Sequence, residues 1–206
     1  MNKLMDLSQV IEDSMPVYPG DNRTNLFQTN YLKINSYNNH RLEINMHSGT
    51  HIDGPMHLTQ SREYISELSL DSFIGLGYVL DVRNQPIIQT KPEYEELIIN
   101  NSIVLLYTGW DSFYGTEKYY EDHPIIDIDF CKLLVRKNIK MLGMDIPSPD
   151  RYPFDSHKLL LGNNIYIIEN LTNLDKLLDI TSFEVIAFPL NIRADSSMAR
   201  VIARVI

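Results

Sequence analysis

His47-Ser48-Gly49-Thr50-His51-Ile52-Asp53-Gly54-Pro55-Met56-His57 holds three of the chain's six histidines and a carboxylate within a few residues of one another. In an extended strand successive side chains alternate faces, so His47, Gly49, His51 and Asp53 are expected to point the same way. Gly49, lacking a side chain, would leave room for an ion between the imidazoles. Imidazole nitrogen with carboxylate oxygen suits Zn²⁺, Mn²⁺ or Fe²⁺, whereas Ca²⁺ takes oxygen ligands throughout. Gly54-Pro55 ends the ladder and bends the chain. His57 then arrives from a turn, near the ion but not on it, and its unperturbed pKa of about 6.5 suits it to proton transfer.

Burying ionisable groups is unfavourable unless they are paired. Two imidazoles and a carboxylate stacked on one face therefore point to a bound cation. Isolated histidines have the ordinary role of surface or satisfied core residues, which is the expectation for His40 and His123.

Outward from this run, the 206 residues fit a single domain spanning 1–206, large enough to bury a sizeable core. A 44% hydrophobic, 22% charged composition is that of a soluble globular chain. No apolar stretch reaches the roughly 18 residues of a transmembrane helix. The opening Met1-Asn2-Lys3-Leu4-Met5-Asp6 lacks the apolar core of a signal peptide, so a cytoplasmic location is the default expectation. A net charge of −9 argues against nucleic acid and anionic membranes as partners. Cys131, the only cysteine, sits among apolar residues of an expected helix, where packing explains it better than reactivity.

Elements of both types follow one another along the chain. Leu32–Asn35 and Arg41–Met46 alternate apolar and polar residues and predict strands leading into the histidine run. Short β-branched runs at 77–82, 103–107, 139–144, 165–168 and 183–188 predict buried strands. Helices are expected after Pro92, over Phe130–Leu134 with Asp127 or Asp129 as its cap, and from an Asp155 cap through Leu161 to Gly162. This order predicts an α+β or α/β core.

Two further candidates stand where apolar segments meet polar residues. His157 falls in the first turn of the Asp155 helix, and Glu169 ends the run Ile165–Ile168, at a strand end where α/β proteins place their chemistry. Asp145, after Met144, has a similar position.

The His47–His57 run resembles the His-x-Gly-Thr-His-x-Asp-x-Pro-x-His signature of the cyclase family of metal-dependent hydrolases, which includes bacterial kynurenine formamidase and isatin hydrolase. The likeness extends along nearly the whole chain. Val17-Tyr18-Pro19-Gly20-Asp21 is similar to an early Pro-Gly-Asp turn of that family, and Tyr107-Thr108-Gly109-Trp110 to its Thr-Gly-Trp segment. Gly143 to Asp150 resembles its Gly-x-Asp-x-x-Ser-x-Asp stretch. His157-Lys158-Leu159-Leu160 with Ile168-Glu169-Asn170-Leu171 resembles its second metal-binding half. The chain departs from the formamidases in having Gly54 where alanine is commoner, Tyr18 where tryptophan often precedes Pro-Gly, and Ala194–Arg200 in place of a Gly-Asp-Gly-Ser-Pro-x-Arg stretch.

The resemblance implies a swivelling β/β/α fold with a central barrel-like mixed sheet flanked by helices, assembled as a homodimer or larger oligomer. It implies metal ligands at His47, His51, Asp53, His157 and Glu169, one or two divalent ions with Zn²⁺ ahead of Mn²⁺, and His57 as the proton-transfer group. The activity it implies is hydrolysis of a small aromatic amide, as in the formamidase step of tryptophan catabolism, with Tyr18 and Trp110 available to stack on an aryl group. The alternatives are a single-metal hydrolase of cyclic amides or a cyclase, and, outside enzymes, a metal-stabilised binding module.

Overall fold

The predicted apolar runs of the second half become the centre of one sheet. The computed structural model describes residues 3–206; Met1 and Asn2, which open the stretch read as lacking an apolar leader, lie outside the described residues. The strands are β1 (Leu4–Asp6), β2 (Asn25–Asn30), β3 (Asn39–Glu43), β4 (His51–Asp53), β5 (Ile74–Asp81), β6 (Ile87–Ile88) and β7 (Ile103–Tyr107). They continue with β8 (Ile125–Ile126), β9 (Met141–Met144), β10 (Tyr166–Glu169), β11 (Phe183–Ile186), β12 (Ser196–Met198) and β13 (Ile202–Val205). The helices are α1 (Leu32–Asn35), α2 (Tyr94–Leu97), α3 (Glu117–Glu121), α4 (Ile128–Arg136) and α5 (Asp155–Gly162).

Nine strands form a mixed sheet in the order β1-β13-β11-β5-β7-β9-β10-β4-β12, curled into a half-barrel, as the α+β expectation required. Its middle, β5-β7-β9-β10, is parallel, and every other neighbour pair is antiparallel. The period of two along a strand sorts the core into two layers. Val104, Leu106, Leu142, Met144 and Ile167 join Phe130, Leu133 and Leu160 of α4 and α5 on one face. Ile103, Leu105, Met141, Ile168 and Ile52 join Phe73, Phe183 and Val201 on the other. Each such fully buried side chain contributes about 1.5–3 kcal/mol of transfer free energy.

Asp127 caps α4, its side chain accepting from the Asp129 amide. Cys131 is buried within α4, and burial pushes its thiol up to about 12, which leaves it a packing residue. The helix after Pro92 is a single turn, Tyr94–Leu97, with Tyr94 and Ile98 buried. No helix among the described residues is long and apolar enough to cross a membrane.

Three local expectations are corrected. Leu32–Asn35 is a helical turn rather than a strand, because the Asn38 and Asn35 side chains accept from the Leu32 and Tyr31 amides and so close a turn. The antiparallel pair lies on either side of it, as β2 with β3. The strand through the histidine run is also shorter than expected. It covers only His51–Asp53, since Gly49 adopts a left-handed φ of 63° that breaks the extended backbone. Finally, α5 is not capped by Asp155. Phe154 occupies the cap position, and the carboxylate of Asp150 accepts from the Ser156 and His157 amides.

Candidate metal centre

Strand β4 lies between β10 and β12, and its register assembles the centre. Glu169 pairs with His51, Ile168 with Ile52, and Ile167 with Asp53. Because residues i and i+2 share a face, His51, Asp53 and Glu169 project together while Ile52 and Ile168 enter the core behind them. All three polar side chains are buried. His157 comes from the first turn of α5, and His47 from the turn before β4.

The reactive atoms converge. His51 Nε2 lies 3.5 Å from Asp53 Oδ1 and 3.3 Å from Glu169 Oε2. His157 Nε2 lies 3.3 Å from Glu169 Oε1 and 3.7 Å from Asp53 Oδ2, and His47 Nδ1 lies 3.0 Å from Asp53 Oδ1. Asp53 thus turns one oxygen toward His47 and His51 and the other toward His157. The five residues expected to bind metal are brought together.

Gly49 serves the centre through its backbone. Its carbonyl accepts from His51 Nδ1 at 2.8 Å and from the Asn170 side-chain amide at 2.9 Å, and a Cβ on it would lie 2.8 Å from the Met15 methyl carbon. Asp150 Oδ1 likewise engages His157 Nδ1 at 2.5 Å. Both rings are therefore committed at Nδ1 and present Nε2 inward.

A divalent cation fits this donor set. His51 Nε2, both carboxylate oxygens of Asp53 and Glu169 Oε1 are buried without any hydrogen-bond partner. Leaving such atoms unpaired is costly, and bare imidazole nitrogens with carboxylates are the ligands that zinc-type ions take. Without an ion, protons balance the charge: burial opposes the charged form of His47, yet Asp53 and Asp195 hold its pKa up at about 10. His51 is held at about 9, against its own burial, by Asp53 and Glu169. Burial alone would raise Asp53, but His47 and the other imidazoles keep it well below the usual carboxylate range.

His57 reaches the centre from the turn after Gly54-Pro55, 4.2 Å from the His47 ring between centroids. Its Nδ1 lies 3.2 Å from Asp195 Oδ2, and the same oxygen lies 2.9 Å from His47 Nε2. His47, Asp53 and His57 also offer ligand atoms within 4.8 Å of one another. Asp195 and Asp150 were not among the expected site residues. Asp195 is 148 residues from His47, and no spacing rule links the two. The signals available were from the family likeness: Asp195 keeps the Asp of the Gly-Asp-Gly-Ser-Pro-x-Arg stretch that Ala194–Arg200 replaces, and Asp150 ends the Gly143–Asp150 stretch.

The remaining candidates fall elsewhere. Asp145 is buried, accepts from the Thr108 and Gly109 amides, and is pushed up to about 6 by burial; it organises that loop rather than the metal cluster. His123 is buried against the Pro124 carbonyl and His40 lies exposed on β3, as expected.

A cavity of about 270 Å³ opens above the centre, lined by His57 and Glu169 and by the aromatic side chains of Tyr18, Tyr114, Tyr120 and Phe154. Trp110 is absent from its lining; its indole N–H donates to the Tyr119 carbonyl instead. The volume is near the lower end of small-molecule sites, about 300–1,000 Å³.

A model of the Cyclase family matches residues 5–151. Kynurenine formamidase of Bacillus mycoides (strain KBAB4) is 31% identical over 209 residues, covering 97% of this chain and 96% of the relative. The kynurenine formamidase of Erythrobacter litoralis (strain HTCC2594) is 29% identical, over 98% and 94%. A solved structure described as a potential metal-dependent hydrolase with cyclase activity superposes with a TM-score of 0.80 at 25% identity, covering 100% of this chain and 99% of the other. Isatin hydrolase A from Labrenzia aggregata, solved with benzyl benzoate, shares the fold with a TM-score of 0.87 at 23% identity over 99% and 94%. On the family match, the full-length relatives and the shared fold, this chain belongs to the cyclase family.

Proposed function

We propose that this chain is a metal-dependent amide hydrolase of the arylformamidase type, cleaving an N-formyl arylamine such as N-formylkynurenine to the free amine and formate. In this reading His47, His51, Asp53, His157 and Glu169 would hold one or two divalent ions, Zn²⁺ ahead of Mn²⁺, two being the formamidase type. The observation that carries it is the set of orphaned buried donors at the floor of an aromatic-walled cavity. The relatives named kynurenine formamidase support the substrate class.

A divalent ion in such a site lowers the pKa of bound water toward about 7 and polarises a carbonyl. The chain's own residues do the rest. Tyr18, Tyr114, Tyr120 and Phe154 hold the aryl group by stacking and keep bulk water from it. His57, at the cavity wall, takes the proton that water loses as its oxygen bonds to the formyl carbon. It returns that proton to the amine nitrogen as the C–N bond breaks, so a neutral amine and formic acid leave, the acid giving its remaining proton to solvent to become formate.

We also propose that residues 1–206 act as one cytoplasmic domain assembled as a dimer or larger homo-oligomer. The hairpin of β2 and β3 supports self-association. Its strands pair only with each other and leave Phe27, Tyr31, Leu32, Ile34 and Leu42 exposed, whereas an isolated two-stranded ribbon is barely stable in water. Arg23, Lys33 and Arg41 against Glu43 give residues 22–46 a positive balance in a chain of net charge −9, which suits a second copy as the partner.

Elemental analysis joined to an activity panel tests the proposal. Zn²⁺- or Mn²⁺-loaded protein is assayed on N-formyl arylamines, isatin and simple lactones. Two ions per chain with turnover of the formamides is expected. One ion with turnover of isatin moves the reading to the cyclic-amide type, and no turnover by metal-replete protein favours a binding module.

A further inference from the structure

One carboxylate oxygen meets two histidines here, and it meets them at opposite ring nitrogens. Asp195 Oδ2 lies 2.9 Å from His47 Nε2 and 3.2 Å from His57 Nδ1. A carboxylate only accepts, so each of those nitrogens carries the hydrogen. Without an ion the Asp53 carboxylate, 3.0 Å from His47 Nδ1, holds a second hydrogen there; a metal that displaced it would find Nδ1 bare, and neutral His57 is left with a bare Nε2. Neutral imidazole has one donor and one acceptor nitrogen, and the partner of one sets the state of the other.

Asp195 is held in place by backbone on three sides. The Gly54 amide donates to its carbonyl at 2.9 Å, the Ile65 amide donates to the Ala194 carbonyl at 2.9 Å, and Ser196 pairs with Asp53 across the β4–β12 ladder. Gly54 is what permits the approach. A Cβ there would lie 2.8 Å from the Asp195 carbonyl oxygen, which is backbone and cannot swing aside. The residue that departs from the commoner alanine is thus the one against which Asp195 rests.

We infer that Asp195, seated on Gly54, is a positioning residue that fixes opposite tautomers in His47 and His57, aiming a bare nitrogen of His47 at the metal centre and a bare Nε2 of His57 at the substrate's water. This rests on the proposed hydrolase reading for its consequence but not for its geometry. Removing the carboxylate frees His57 to rotate and to take the other tautomer. Gly54→Ala pushes the Asp195 backbone away and acts in the same direction more weakly.

Long-range ¹H–¹⁵N correlation spectra of the zinc-loaded protein read the tautomer directly, with His57→Gln assigning the ring. The expected result is a hydrogen on His57 Nδ1 in the starting protein and its transfer to Nε2 in Asp195→Ala. The same substitution, and the shape-conserving Asp195→Asn, are expected to weaken metal affinity by about 10–100-fold through His47 and, at saturating Zn²⁺, to lower kcat on an N-formyl arylamine on the order of 10²-fold with KM unchanged. A hydrogen on Nε2 in the starting protein, or a tautomer untouched by Asp195→Ala, overturns the inference. Should the starting protein hydrolyse no formamide while the tautomer moves as expected, the activity assignment fails and the positioning role stands.

Discussion

Glu169 stands directly opposite His51 in the β10–β4 ladder, and its Oε2 lies 3.3 Å from His51 Nε2. A carboxylate that would otherwise interrupt the apolar run of β10 is thereby aimed at an imidazole whose inner nitrogen has no hydrogen-bond partner.

Asp53 and Glu169 are consequently expected to fail differently. Asp53 turns an oxygen to each side of the cluster, so Asp53→Asn should reduce bound metal to background. Glu169→Gln keeps His47, His51 and Asp53 and should retain about one ion per chain. Inductively coupled plasma analysis of the two purified variants decides the matter; equal metal loss in both contradicts a bridging Asp53.

Asp150 holds His157 through Nδ1 and also caps α5 through the Ser156 and His157 amides. Asp150→Asn should weaken metal affinity by about 10–100-fold, the usual effect of losing such a partner. Asp150→Ala should in addition lose about 1 kcal/mol of stability with the cap. Competition with a chromophoric chelator and chemical denaturation read the two effects separately.

His57 engages Asp195 rather than a metal donor, so His57→Ala should keep the full complement of metal while kcat drops by about 10²–10⁴-fold. Loss of metal in this variant would move His57 into the ligand set with His47 and Asp53.

In metal-free protein the His47 and His51 pKa values stand at about 10 and about 9, raised above the unfolded value of about 6.5. Their contribution to stability is therefore complete below about pH 6.5 and is lost as pH rises through those folded values. Thermal denaturation of chelator-treated protein should show stability declining over this interval, and the metal-loaded protein should not follow it. Metal binding should release protons and tighten with rising pH, which calorimetry in buffers of differing ionisation enthalpy measures.

Gly49 combines a left-handed φ of 63° with a carbonyl that orients His51. Gly49→Ala should lower stability by about 1–3 kcal/mol and weaken metal retention together, as melting curves with and without Zn²⁺ would record.

How much of this was written in the chain can be judged residue by residue. His47, His51, Asp53 and His57 were legible because four ionisable groups within eleven residues are unlike any apolar or turn pattern. The strand through them is shorter than the alternation predicts, since nothing local announces that Gly49 takes a positive φ. The turn at Leu32–Asn35 escapes the alternation for a related reason: its hydrogen bonds come from asparagine side chains, which compete with strand pairing without disturbing the alternation of apolar residues.

By itself the order of residues determined the type of the buried elements and the donor chemistry, because side-chain period and ligand softness are local properties. Which donors meet, and which nitrogen of each imidazole faces inward, was decided only by tertiary structure. Glu169 reaches His51 through strand register, and Asp195 reaches His47 and His57 through a ladder closed across more than a hundred residues. Such pairings are set by the hydrogen bonds of the folded sheet and by a close backbone approach at Gly54, and neither leaves a mark in the spacing of the residues they join.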